Sequence, residues 1–282
     1  MLHVWTAAGE ELTAIPWETV SDAKQLKQHL QPLCEAPRFR QRLLTDGRIL
    51  EDDMSLSNLV DVQLVLLPFI TPSQEQEDEL AILAAEGMIA EVETILQRPQ
   101  SPSCADPRDY EQPLFLACKN GHVAIARLLL EADADVETRS RWCGITPLLA
   151  ACAEGREQVV RVLLEGGANK EARDRRGSTP LLVAAHCFCP EIVCLLLEAN
   201  AERTVRNSYG ETPLWVAINK DSFQHAKRRQ EEVVCHLLRR VADPNCRVQG
   251  QNYPLHMACR RGHVRIAKLL LQARADQQLS SD

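Results

Sequence analysis

The 282 residues exceed what one small core needs and suit two units, one compact and one extended. Aromatic residues are only 4% while leucine and alanine abound, which argues against an aromatic-rich β-sandwich and favours helices packed through aliphatic side chains. The net charge of −7 is uneven: residues 1–112 hold 20 acidic and 8 basic side chains of totals of 39 and 32, so they carry −12 and residues 113–282 carry +5.

The start, MLHVWTAAGEE, lacks a basic opening and a long apolar run, and the longest apolar stretch, LVLLPFI at 64–70, is too short to cross a bilayer. Eleven cysteines, an odd number without a secretory signal, point to a reducing compartment rather than a disulfide scaffold. The expectation is a monomer with no membrane contact, in the cytoplasm or, as a second choice, the nucleus.

Residues 1–70 predict a compact α+β domain. Leu2 and Val4 alternate before a turn at Gly9, as in a hairpin, and Ser21-Asp22 caps an amphipathic helix through Ala23, Leu26, Leu30 and Leu33. Short strands follow around Leu43-Leu44 and Ile49-Leu50 and along VQLVLL at 62–67, in an order β, β, α, β, β. The run FRQRLLTDGRILEDDMSLSNL, through Gln41-Arg42-Leu43, Gly47, Leu50-Glu51-Asp52 and Leu56, resembles a ubiquitin-like domain of the β-grasp fold. The resemblance implies a recognition patch at Leu44, Gln63 and Val65, able to dock on a ubiquitin receptor or proteasome component. The alternative is that these residues lie beneath the linker or the first repeat. Arg48 replaces the chain-forming lysine and the last strand runs into PFITPSQEQ without Gly-Gly, so the domain would be a built-in module rather than a conjugated modifier.

Residues 71–78 are expected to be a short linker. Beyond them, ELAILAAEGMIAEVETILQRP at 79–99 reads as a degenerate capping repeat spanning 79–108, with an acidic outer surface. A repeated sentence then begins at Pro113, Pro147, Pro180, Pro213 and Pro254, spaced by 34, 33, 33 and 41 residues, which marks a stacked array. Each copy predicts helix, turn, helix, with threonine before proline as the cap of the first helix. GSTPLLVAA at 177–185, GETPLWVAI at 210–218, NGHVAIARLLLEADAD at 120–135 and RGHVRIAKLLLQARAD at 261–276 resemble ankyrin repeats. The resemblance implies about five full repeats through residue 278, an all-α solenoid with finger hairpins. Gln112 and Tyr253 replace the motif threonine and Cys187–Pro190 replaces a turn glycine, so those joints are expected to be looser or differently shaped. The fourth repeat carries an insertion near 221–230, which either presents Lys227, Arg228 and Arg229 as a specificity loop or extends a helix with charges outward.

No nucleophile with its base, paired acids or phosphate loop is found, so no catalytic residue or cofactor is assigned and the chain is read as not an enzyme. His186-Cys187-Phe188-Cys189 lacks the spacing of a closed tetrahedral metal set. Cys118, Cys152 and Cys259 each stand five residues after a motif proline, and His122 and His263 share one turn position, so both are read as structural. Binding is expected on the concave face, through finger residues Arg139, Arg141, Trp142, Arg173, Arg175, Arg176, Arg203, Arg206 and Tyr209. Phe115, Leu149, Leu182, Trp215 and His256, each two past the proline, would form a ladder along the groove. The leading function is a protein-protein adaptor whose groove holds a client, acidic segments suiting the arginines. The alternative is a plain scaffold with the first domain as an architectural cap. Nucleic acid is disfavoured by the modest +5 and the acidic neighbouring segment.

Overall fold

The computed structural model describes residues 1–57, 59–68, 74–98, 101–103, 111–140, 144–220, 226–240, 242–248 and 253–275. They form two compact units, residues 1–113 with 127–135, and residues 114–126 with 136–282.

The first unit opens with β1 (Leu2–Thr6) and β2 (Glu11–Ile15), an antiparallel hairpin turned at Gly9. Helix α1 (Ala23–Cys34) starts at Asp22, whose carboxylate accepts the Gln25 N–H at 2.8 Å, and ends at Glu35 in a left-handed conformation. Strands β3 (Gln41–Thr45), β4 (Arg48–Ile49) and β5 (Asp61–Leu66) complete a five-stranded mixed sheet in the order β2-β1-β5-β3-β4. The three stretches expected after α1 each carry a strand, so the order is β, β, α, β, β, β rather than β, β, α, β, β, and β4 is a two-residue return of the β3 hairpin. Alternation along the strands sends Leu2, Val4, Leu43, Val62 and Leu64 onto Leu26 and Leu30 of α1.

Helices α2 (Gln74–Glu86) and α3 (Ile89–Leu96) pack together. Residues 74–78 of the expected linker are helical, as their glutamines and glutamates favour. The sheet is tied to these helices by Arg38, whose side chain is fully buried. Its guanidinium donates to Asp52 at 2.6 Å, to Glu131 at 2.7 Å and to Glu93 of α3 at 3.1 Å, and lies 3.8 Å over the Phe39 ring. Lys27 holds the other Asp52 oxygen at 2.6 Å, and Gln97 reaches Asp52 at 3.3 Å. Burial alone would push the Asp52 carboxyl up, but Lys27 and Arg38 hold it below its ordinary value.

The repeats follow as α4 (Pro113–Asn120) and α5 (Val123–Glu131), α6 (Pro147–Ala153) and α7 (Glu157–Glu165), α8 (Pro180–His186) and α9 (Pro190–Glu198), α10 (Pro213–Asn219) and α11 (Lys227–Arg239), and α12 (Pro254–Arg260) and α13 (Val264–Gln272). From α6 onward, first helices pack on first helices and second on second. Thr146 and Thr212 cap α6 and α10 through their hydroxyls, whereas Thr179 makes no such bond. The glycines between paired helices, Gly121, Gly155 and Gly262, sit at φ of 90°, 67° and 68°. Phe188 takes the same place at φ 54°. The joint at Cys187–Pro190 therefore keeps the common shape: Cys189 N donates to Ala184 O as His122 N does to Ala117 O and His263 N to Ala258 O. The cost, about 1–2 kcal/mol for a side chain in the left-handed region, falls on Phe188.

Helix α11 has 13 residues where α9 and α13 have 9, so Lys227, Arg228 and Arg229 lie exposed on a helical extension rather than in a loop. Buried Gln230 fixes its start, its amide donating to Ala217 O at 2.7 Å and Lys220 O at 3.1 Å. The rest of the inserted segment, 221–225, lies outside the described residues.

Candidate functional site

The fingers, the polar stretches between one repeat's second helix and the next repeat's first, carry a row of arginines with a common geometry. Arg139 donates to Gly144 O in its own finger and to Arg173 O in the next, both at 2.8 Å. Arg173 repeats this with Gly177 O at 3.2 Å and Arg206 O at 3.0 Å, and Arg206 with Gly210 O at 2.6 Å and Arg247 O at 3.0 Å. A parallel row joins Lys170 to Ala199 O at 2.6 Å and Arg203 to Arg240 O. Arg173 and Arg206, expected to meet a partner, each staple adjacent fingers through one guanidinium nitrogen, Nη1, while the side chain stays exposed. Arg175 is exposed, its stem lying over Gly144 of the preceding finger.

The expected ladder is a core feature. Leu149, Leu182 and Trp215 are 1%, 2% and 0% exposed, and Phe115 is buried with them. From α6 onward each first helix packs on its own partner helix and on the first helix of an adjoining repeat, as α10 does on α8, α11 and α12, so the position two past the proline points between helices. Arg141 and Trp142 lie outside the described residues. Cys118 and Cys152 are buried as expected, but Cys259 is exposed, since among the described residues no helix follows α13 to cover α12.

One cleft on the finger side, of about 200 Å³ between the α8 and α10 repeats, is lined by Arg176, Leu182, Val183, His186, Tyr209 and Glu211, so the expected groove residue Leu182 reaches it. Tyr209 is 62% exposed, and Arg176 and His186 are exposed too. Two turn residues shape the rim. Asp174 accepts the N–H groups of Arg176 and Ser178 at 2.8 and 2.7 Å, and Asn207 those of Tyr209 and Glu211 at 2.9 and 3.0 Å. Partial burial, then the charges of Lys220 and Arg176, hold His186 below its ordinary value against the pull of Glu211, which favours the neutral ring at pH 7. Lys220 Nζ donates to His186 O at 2.9 Å. The sequence reading weighed His186 only as part of a metal set and did not single out Lys220, because neither falls in a finger.

On the sheet, Leu44 pairs with Gln63 and Arg42 with Val65, and all four alternate away from the core side. Gln63 is exposed, while Leu44 and Val65 are partly buried. Arg42 donates to Gln97 O at 2.5 Å, so the residues after α3 reach this face beside Val65.

Among the described residues no group of three or more histidine, cysteine or acidic side chains could hold a metal, and no helix is long and apolar enough to cross a membrane. The geometry is that of a helical repeat protein with an exposed finger side. Models of ankyrin repeats match residues 80–174, 163–217, 209–248 and 251–281. A crystal structure of an ankyrin repeat domain from Acinetobacter baumannii AYE is similar, with a TM-score of 0.65 and 30% identity over 71% of this chain and 100% of that one. No curated protein matches. The chain belongs to the ankyrin-repeat family.

Proposed function

We propose that the protein is a non-catalytic scaffold whose repeats bind a protein partner at the finger-side cleft, and whose first domain is a ubiquitin-like β-grasp module built in as the cap of the array. The cleft supports the binding half: Arg176 and Tyr209, residue types that anchor interfaces, stand exposed together over an apolar floor. Arg38 supports the cap half, since a fully buried cation shared among Asp52, Glu93 and Glu131 is not the attachment of a module swinging on a tether.

A second reading, an adaptor that also docks on a ubiquitin receptor or the degradation machinery, is favoured by the exposure of Gln63 beside Leu44 on the outer face of the sheet. One experiment separates the two. Full-length protein, the double variant Arg176→Glu with Tyr209→Ala, and Leu44→Arg, each shown to be folded, serve as baits in a lysate read by mass spectrometry. The scaffold reading expects the double variant to lose partners that Leu44→Arg keeps. Loss of ubiquitin receptors or proteasome subunits from Leu44→Arg alone establishes the adaptor, and identical partners on all three baits defeat both readings.

A further inference from the structure

Four of the described turns between paired helices, at Gly87, Gly121, Gly155 and Gly262, place glycine in the left-handed position, and a fifth places Phe188 there between two cysteines. Phe188 is 6% exposed, with Lys220 Nζ 5.5 Å from its ring centre, so packing holds the backbone in this conformation. The Cys189 thiol folds back to 3.6 Å from Cys187 O and rests against Gly155 of the preceding repeat, where an added Cβ would meet its sulfur at 3.5 Å.

We propose that Cys187 and Cys189 form an oxidisable dithiol that closes to a disulfide within the turn between α8 and α9 when the protein meets a small-molecule disulfide. The chain supplies the reach. Two residues span at most about 7 Å when extended, a left-handed middle residue draws their ends closer, and a disulfide accommodates Cα separations of roughly 4.4–6.8 Å. The two Cα atoms therefore lie within the reach of a disulfide. Cys187 is partly exposed and Cys189 is buried, so Cys187 is the entry point.

Its thiolate attacks one sulfur of the small disulfide and expels a thiolate, leaving a mixed disulfide on Cys187. The Cys189 thiolate then attacks the Cys187 sulfur and expels the second. Two protein thiols are oxidised, one disulfide is reduced to two thiols, and the two protons leave with the products. Lys220 and Glu154 face Cys187, and Arg229, Glu191 and Lys220 face Cys189. Burial pushes the Cys187 thiol up, partly offset by Lys220, and pushes Cys189 up to about 11. Closure is therefore slow at neutral pH and quickens as pH rises. The pair adjoins His186, which lines the finger-side cleft.

The test incubates the full chain with oxidised glutathione, quenches with acid, alkylates, and maps peptides by mass spectrometry while circular dichroism follows the fold. The expected result is a peptide containing 187–189 that has lost two hydrogens and escapes alkylation. Cys187→Ser should abolish the reaction, and Cys189→Ser should leave glutathione attached to Cys187. The proposal is overturned if both thiols stay alkylatable once exposed Cys259 carries glutathione. A bond from Cys189 to Cys152, or closure only after helicity is lost, overturns it equally.

Discussion

Arg38 in the first unit and Arg139, Arg173 and Arg206 in the second all join segments distant in sequence, by different physics. Arg38 is withdrawn from water and balanced by three carboxylates lying 14, 55 and 93 residues away. The finger arginines stay at the surface and grip neutral backbone carbonyls, in a pattern that recurs at 34, 33 and 41 residues and so persists across the inserted segment. A unique buried cation concentrates its free energy at one place and stands or falls whole. A recurring surface contact spreads a smaller gain, and the loss of one rung leaves the next intact.

The largest effect expected is that of Arg38→Met. It leaves Asp52, Glu93 and Glu131 without their shared cation, and breaking a buried ion cluster on one side costs roughly 3–5 kcal/mol. Hydrogen exchange should show β3 and α3 opening together. A loss below about 1 kcal/mol would erase the contrast between the units.

Acid provides the next test. The folded-state value of Asp52 is held below its ordinary 3.8, so its contribution is full above that value and disappears as pH falls through the lower folded one. The finger contacts join arginine to carbonyls and have nothing to titrate there. Hydrogen exchange at acid pH should find the β3–α3 region loosening before α8 and α10.

Arg173→Ala and Arg206→Ala should each cost about 1–2 kcal/mol, since each removes two charge-assisted bonds at the surface. The double variant should lose nearly the sum, because the carbonyl that one arginine grips belongs to backbone and survives substitution of the other. Urea unfolding of the single and double variants measures this.

The smallest difference lies in the caps. Thr212→Val should cost about 1 kcal/mol, its hydroxyl being the acceptor for Trp215 N. Thr179→Val should be neutral or slightly stabilising, because the Thr179 hydroxyl is buried without a hydrogen bond. Opposite signs at two equivalent positions can be read from the same unfolding curves.

Much of the fold was legible in the sequence, because proline, threonine and glycine act on backbone within a few residues of themselves. The repeat period, the first-domain helix and the turn positions follow from such local effects. The candidate site was less so. Trp215 and Leu182 stand where a groove ladder is expected, but their burial is decided by neighbouring helices 33 to 41 residues away. The structural part of Arg173 and Arg206 went unread because nothing local reveals that the next finger offers a carbonyl. Their recurrence at the repeat spacing was the available signal, since a side chain that recurs in step with the fold usually serves the fold. Arg38 gave no signal, its three partners being scattered over 93 residues.

Gln230 has a consequence for how this chain tolerates change. One buried amide grips both the end of α10, at Ala217, and the residue where the chain leaves it, at Lys220. Departure and return are thus pinned to each other, and chain can be lengthened or replaced between them without disturbing how the following repeat is seated. That interval is a natural port for a grafted tag, a fluorophore or a foreign epitope.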